Sequence, residues 1–126
     1  MKGDDLADRL LDFAFRIIRL VAVLPKTPVG KHVGGQLLRS GTSPGANYEE
    51  ARGAESRADF IHKLAMSWKE TREARYWLRL IHRAELIKPT LVEKILGEAS
   101  ELAAILSKSL ETARRNTKPG GDFSHS

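Results

Sequence analysis

The sequence predicts an all-α protein, an up-down-up-down antiparallel four-helix bundle. Apolar residues recur at alternating spacings of three and four in four long segments, and short turns rich in proline, glycine and hydroxyl side chains separate them. No alternation typical of β-strands and no internal repeat interrupts this pattern. Because 41% of the 126 residues are hydrophobic and 29% are charged, we expect one soluble domain with a core. This bundle is predicted over residues 1–116, with helices at about 5–24, 28–53, 57–86 and 91–115, and residues 117–126 are predicted to form a disordered polar tail.

The first helix has a clear buried face and a clear end. It is predicted to follow the cap candidates Asp4 and Asp5, whose carboxylates can accept hydrogen bonds from free backbone amides. It should end at Leu24, because Pro25 disfavours helical geometry in the residue before it. The predicted core residues of this helix are Leu6, Leu10, Phe13, Ile17, Leu20 and Leu24.

The second helix contains the most unusual stretch of the chain. Thr27 and Pro28 open the helix as a cap and a first-turn proline, and Gly53 is the predicted stop. Between them, residues 39–51 combine two glycines, a proline, three hydroxyls, an asparagine and an acidic pair. Such residues reduce helix stability in water, so tertiary contacts must hold a helix that runs through them.

Five polar residues of this stretch are predicted to form a structural network. Three of them continue the apolar face of the helix, and a polar group that points into a bundle must be hydrogen-bonded or it destabilises the fold. Contact with a ligand is the alternative interpretation of the same residues. The predicted network consists of Arg39, Ser40, Ser43, Asn47 and Glu50.

The third and fourth helices each begin at a predicted capping motif. Ser56 caps the third helix, with Asp59 three residues later, and residues 90–93 form a full capping box at the start of the fourth helix. The core seam of the third helix is small and polar in the middle, which favours close helix approach. That seam is Phe60, Leu64, Ser67, Thr71, Ala74, Leu78 and Ile81.

The basic charge of the chain is concentrated in the third helix. Of the formal net charge of +5, residues 56–85 carry +3, from seven basic and four acidic side chains. Five cations at spacings of three and four lie along one side of this helix, beside the buried seam. We call them the arginine stripe: Lys69, Arg72, Arg75, Arg79 and Arg83.

The arginine stripe has two interpretations. Glu70, Glu73 and carboxylates of neighbouring helices could neutralise these cations, which would leave an ordinary solvated surface. Alternatively, the stripe binds a polyanion such as RNA, since arginine forks contact phosphates at two points. Tyr76 and Trp77 interleave with the arginines, as base-stacking side chains would, but packing or subunit contact explains them equally well.

No residue pattern predicts an active site. The chain lacks cysteine, its glycines do not form a phosphate-binding loop, and Asp59 with His62 is the only near match to a di-metal helix motif. We therefore expect no enzymatic activity, no catalytic residue, no metal and no cofactor. The amino end lacks the layout of a signal peptide, and no apolar run is long enough to span a bilayer, so a cytoplasmic location is expected.

Three blocks of residues resemble a known bacterial family. Residues 36–51, 55–64 and 69–78 are similar to the signature of the four-helix-bundle proteins linked to intervening sequences in 23S ribosomal RNA genes. The order and lengths of the predicted helices also match. The polar signature of that family corresponds here to Arg39, Ser43, Asn47 and Glu50, whereas Pro44 replaces an aliphatic residue. That replacement predicts a possible bend in the second helix.

The resemblance implies a left-handed bundle that assembles into a ring, with a pentamer as the expected size, and no known enzymatic activity. A related branch comprises the accessory proteins of diversity-generating retroelements, basic barrels that bind reverse transcriptase and nucleic acid. The combined expectation is a non-enzymatic homo-oligomer that binds RNA, DNA or a ribonucleoprotein through the arginine stripe. The alternative is a protein–protein scaffold with no role in nucleic-acid binding.

Overall fold

The computed structural model describes residues 3–116 and contains four helices in that range. They are α1 (Gly3–Ala22), α2 (Pro28–Arg52), α3 (Arg57–Ala84) and α4 (Thr90–Arg115). No strand occurs among the described residues, so the prediction of an all-α four-helix bundle is confirmed. The tail predicted at residues 117–126 lies outside the described part of the chain.

The helices surround one shared core. α2 packs on α1 and α3, and α4 packs on α3 and α1, whereas the described residues place no contact between α1 and α3 or between α2 and α4. α1 and α3 therefore occupy diagonal corners of the bundle. The up-down-up-down order and the left-handed sense remain predictions, since these neighbour pairs alone fix neither.

The predicted core faces are confirmed. All six apolar residues assigned to the core from the first helix are buried, as is the whole predicted seam of α3. Burying a leucine or phenylalanine side chain contributes roughly 1.5–3 kcal/mol, so these stripes supply most of the driving force for folding. The largest fully buried side chains are Phe13, Leu10, Ile17, Leu37, Leu64, Leu78, Ile81, Leu102 and Leu106.

The ends of α1 and α2 follow the local signals closely. α1 already begins at Gly3, and Asp4 and Asp5 lie in its first turn rather than before it. At the other end a tight turn replaces the last helical residues, because the amide of Leu24 donates to the carbonyl of Val21 at 3.2 Å. Thr27 caps α2 as predicted, accepting a hydrogen bond from the amide of Gly30 at 3.1 Å.

α3 begins as predicted and ends slightly earlier. The hydroxyl of Ser56 accepts from the amide of Asp59 at 3.1 Å. At the carboxyl end, Glu85 adopts the left-handed conformation (φ 51°, ψ 45°). The amide of Leu86 donates to the carbonyl of Ile81 at 3.2 Å, which closes a Schellman motif and stops the helix at Ala84 rather than near residue 86.

The prediction of a capping box at residues 90–93 is wrong. Pro89 occupies the cap position with helical dihedral angles (φ −52°, ψ −36°), and no side chain caps α4. Because the proline ring holds φ in the helical range, the helical turn starts before Thr90 and places that residue inside the helix. The carboxylate of Glu93 instead lies 3.2 Å from Nε2 of His82 on α3.

Glycines allow α2 to approach α1 closely. A Cβ atom on Gly41 would lie 2.7 Å from Cγ1 of Ile17, and one on Gly45 would lie 3.5 Å from Cβ of Leu10. A side chain at Gly41 therefore cannot be accommodated unless the helices separate. The glycines in the unusual stretch of the second helix are thus explained by packing against the core residues of α1.

Pro44 lies inside α2, which nevertheless continues as one helix to Arg52. Its carbonyl accepts a hydrogen bond of 2.8 Å from the hydroxyl of Ser67, a buried residue of α3. Thr71 is also buried and donates to the carbonyl of Ser67 at 2.8 Å. The polar centre of the α3 seam is therefore fully hydrogen-bonded, as a buried polar group requires. A bend at Pro44 remains a prediction.

Candidate nucleic-acid interface

The arginine stripe runs along the solvent-facing side of α3. Lys69, Arg72, Arg79 and Arg83 are exposed, and Arg75 is half-buried. Because the residues are spaced by three and four, their side chains lie on one side of the helix and face solvent together. Within residues 3–116, none of the five forms an ion pair with a carboxylate.

The glutamates of α3 are engaged on the opposite edge of the helix. Arg39 of α2 donates to both carboxylate oxygens of Glu70, with the shorter contact at 2.9 Å, and its other terminal nitrogen contacts Glu73. Glu73 also accepts a hydrogen bond of 3.1 Å from the indole of Trp77. The neutralising partners that the sequence offered for the arginine stripe are therefore paired with Arg39 instead.

The glutamates of α4 are also paired with groups other than the arginine stripe. Arg9 of α1 donates to both oxygens of Glu98, at 2.6 and 3.1 Å, and lies 3.9 Å from Glu101. The hydrogen bond to Glu98 raises the pKa of Arg9 above its ordinary value. The two remaining glutamates of α4 contact His82 and Arg115, respectively. The middle of the α3–α4 surface thus carries cations without facing carboxylates, which produces a local positive potential.

A shallow cavity lies between α3 and α4 at one end of the arginine stripe. It has a volume of about 340 Å³ and is lined by Trp68, Ser107, Leu110, Glu111, Arg114 and Arg115. The guanidinium carbon of Arg72 sits 5.0 Å from the centroid of the Trp68 ring, a cation–π distance. The arginine stripe is therefore next to the Trp68 ring, in a cavity that Arg114 and Arg115 also line.

The five residues of the predicted polar network do not form one network. No side chain–side chain hydrogen bond joins any two of them in the described structure. Ser40 is fully buried and donates to the carbonyl of Gln36 at 2.8 Å, while Ser43 donates to the carbonyl of Arg39 at 2.6 Å. Hydroxyls in helices often bond in this way to the preceding turn, and such bonds use the hydroxyl hydrogen within α2 rather than across the bundle.

The two charged members of that set are exposed and bind α3 separately. Arg39 pairs with Glu70 and Glu73, and Glu50 accepts a hydrogen bond of 2.8 Å from Lys63. This bond raises the pKa of Lys63. Asn47 is half-buried on the same helix. Arg39 and Glu50 therefore join α2 to α3 through independent surface pairs rather than through an inward network.

Tyr76 and Trp77 differ in their surroundings. Trp77 is half-buried, donates to Glu73 and packs edge-on against His32 of α2 at a centroid distance of 6.0 Å. Tyr76 is 56% exposed and lies beside Trp77, at 5.1 Å between centroids. Trp77 is thus used for packing between α2 and α3, whereas Tyr76 is accessible next to the arginine stripe.

Neither a metal-binding cluster nor a membrane-spanning helix occurs in the described part of the chain. No group of three or more histidine or acidic side chains among residues 3–116 is arranged to hold a metal ion. None of the described helices is both long and apolar enough to cross a bilayer.

Comparison with known proteins identifies the family. The profile described as 23S rRNA-intervening sequence protein matches residues 5–108, which extend from α1 into the last third of α4. The chain belongs to this family. A crystal structure from Bacteroides thetaiotaomicron, described as a protein of unknown function from the S23 ribosomal protein family, is 40% identical with a TM-score of 0.78. The match covers 84% of this chain and 98% of that one. A search of curated proteins found no match.

Two features of the structure were not predicted from the sequence. To predict that Arg39 pairs with Glu70 and Glu73, one must know the register of α2 against α3. The spacing of apolar residues does not give that register. The cavity beside Trp68 requires α4 to bring Arg114 close to a residue 46 positions earlier in the chain. The sequence did contain a signal for the glycine contacts between α2 and α1. Gly34, Gly41 and Gly45 lie on one face of α2, at spacings of seven and four.

Proposed function

We propose that this protein is a non-enzymatic, homo-oligomeric helical bundle that binds RNA through the arginine stripe. The observation that carries the proposal is the charge separation on α3: Arg39 engages Glu70 and Glu73, and the stripe on the other side has no carboxylate partner within residues 3–116. Unpaired arginines are available for phosphates, and each phosphate contact releases condensed counterions. Membership of the 23S rRNA-intervening sequence protein family is consistent with an RNA ligand.

The test is RNA affinity as a function of salt. We expect log affinity to fall linearly with log salt concentration, and we expect Arg75→Glu with Arg79→Glu to weaken binding at least about tenfold and to flatten that slope. The matched control is Lys31→Glu with Lys108→Glu, which changes the net charge equally at exposed positions on α2 and α4. Binding that ignores salt, or that the control weakens equally, contradicts an interface at the arginine stripe.

Association of copies is proposed through the outer face of α1. Leu11, Phe15 and Ile18 follow one another at helical spacing on this face and are 69%, 55% and 51% exposed. Contiguous exposed apolar side chains of this size mark contact surfaces. The occupant that fits is a second copy, because exposed Asp8 and Asp12 lie in one half of α1 and Arg16 and Arg19 in the other. Two antiparallel copies of α1 would therefore bring opposite charges together.

Light-scattering mass tests this assembly. The antiparallel α1 contact pairs identical surfaces, so it predicts a mass of two copies, whereas the pentamer implied by the resemblance would need a head-to-tail interface. We expect a monomer after Leu11→Glu with Phe15→Glu. The control Leu91→Glu changes another exposed leucine, at the start of α4, and should leave the assembly intact. A monomeric wild-type protein, or an assembly that survives the α1 substitutions, overturns the proposed interface. Co-purification with one protein that resists nuclease treatment, with no RNA affinity, would favour the scaffold function instead.

A further inference from the structure

The cavity between α3 and α4 is lined by both apolar and cationic side chains. Trp68 and Leu110 supply apolar surface, Ser107 supplies a hydroxyl, and Arg114 and Arg115 supply guanidinium groups. Glu111 also lines the cavity and pairs with Arg115 at 3.4 Å, so Arg114 is the lining cation without a carboxylate partner among the described residues. A flat apolar ring that carries an anionic group is complementary to such a lining.

Trp68 is placed for stacking on a flat ligand. Its side chain is half-buried, so the neighbouring helices hold the indole in place while part of it remains accessible. Arg72, a member of the arginine stripe, lies over one face of the ring at 5.0 Å from its centroid, so a base that stacks on that face would displace this guanidinium. A strand that follows the stripe along α3 therefore reaches the Trp68 ring directly after Arg72. Aromatic side chains beside a positive groove are the usual means by which proteins hold single-stranded nucleic acid.

We propose that this cavity receives one unpaired nucleotide of a single-stranded RNA, with the base against Trp68 and the phosphate at Arg114. This inference rests on the proposed function and specifies the RNA class. The bases of a duplex are stacked on one another and cannot enter a cavity between two helices, whereas an unpaired base can be turned out of the strand. The protein should consequently prefer single-stranded over double-stranded RNA.

Tryptophan fluorescence gives a direct test, because the chain contains only two tryptophans. Trp77→Phe leaves Trp68 as the single indole and removes none of the cavity lining. We expect single-stranded oligouridylate to quench Trp68 fluorescence and a blunt-ended duplex RNA of equal length to leave it unchanged. Both RNAs should compete for the protein, since both contact the arginine stripe.

Substitution at Trp68 separates this inference from the proposed function. Trp68→Leu should weaken single-stranded RNA binding about tenfold and leave duplex binding unchanged, and Trp68→Phe should retain most of the affinity. Arg114→Ser should also weaken only single-stranded binding. Circular dichroism verifies that each variant stays folded. RNA binding without Trp68 quenching, or equal losses for both RNAs, overturns the nucleotide site alone. The absence of any RNA binding overturns the proposed function as well.

Discussion

α2 and α3 lie side by side but use their unusual residues in opposite ways. In α2, glycines at positions 41 and 45 face the core residues of α1, and the exposed Arg39 and Glu50 are paired with α3. In α3, the core seam is continuous, while the five cations of the arginine stripe have no carboxylate partner in the described structure. The stretch that departs most from helix propensity is therefore used for packing.

The contrast between the two helices indicates where function is to be sought. Residues that reduce helix stability are tolerated in α2 because close approach to α1 and bonds to α3 compensate for them. The arginines of α3 are good helix formers, so they leave no irregularity in the helical pattern. Their signal is electrostatic, and it depends on which neighbouring carboxylates are already paired.

The largest expected effect is on stability, at the close contact between Gly41 of α2 and Ile17 of α1. Gly41→Ala should reduce the free energy of unfolding by about 1–3 kcal/mol, because the added Cβ would overlap Ile17. Urea unfolding monitored by circular dichroism measures the change. Gly35→Ala is the matched control in the same helix, since nothing lies within 4 Å of its Cβ position, and it should stabilise the protein by roughly 0.5–1 kcal/mol.

A double-mutant cycle sharpens this prediction. Ile17→Ala removes both atoms that a Cβ at Gly41 would approach most closely. The two substitutions together should therefore cost less than the sum of their separate costs. If Gly41→Ala behaves like Gly35→Ala, or if the two costs simply add, close packing does not explain the glycine at position 41.

A smaller effect is expected at the buried bond between α3 and α2. Ser67→Ala removes the hydrogen bond to the carbonyl of Pro44 and should destabilise the protein by about 1 kcal/mol in thermal or urea unfolding. Ser43→Ala is the control, since that half-exposed hydroxyl bonds within its own helix. Its substitution should be neutral or slightly stabilising, because alanine is the better helix former. Equal effects at both positions would contradict a specific role for Ser67.

The smallest expected effect is on RNA affinity, through the ion pairs that join α2 to α3. Arg39→Met leaves Glu70 and Glu73 without a cationic partner on the same helix as the arginine stripe, so RNA affinity at low salt should fall about two- to fivefold. Stability should change by less than about 1 kcal/mol, since the pair is exposed. Adding Glu70→Gln and Glu73→Gln should restore RNA affinity, which a fluorescence titration can measure. Failure of that restoration would show that Arg39 affects RNA binding by another route.

Much of the fold was predictable because helix formation and core burial are local in sequence. The apolar spacing in α1 and the cap at Ser56 each specified their structure without tertiary information. The capping box at residues 90–93 failed because Pro89 imposed helical geometry one residue earlier. The interpretation of Arg39 and Ser40 as one network failed because adjacent residues on a helix face different neighbours, and only the register between helices decides which.

The candidate site was predictable in part for the same reason. The arginine stripe follows from spacing along one helix, so its five residues could be named from the sequence. Whether they are neutralised depends on contacts between helices, including the bond between Arg9 and Glu98, residues that lie 89 positions apart. The cavity at Trp68 likewise exists only once α4 packs on α3.

The order of helix neighbours also determines how the chain can reach its native state. α2 contacts the helices before and after it, α3 does the same, and only the α1–α4 contact joins distant parts of the chain. Bundles built from such local contacts fold within microseconds to milliseconds, because little loop-closure entropy is lost before contacts form. Closure of α1 onto α4, which includes the Arg9–Glu98 bond, carries the largest loop-closure cost, so we expect this contact to form after the three sequential pairs.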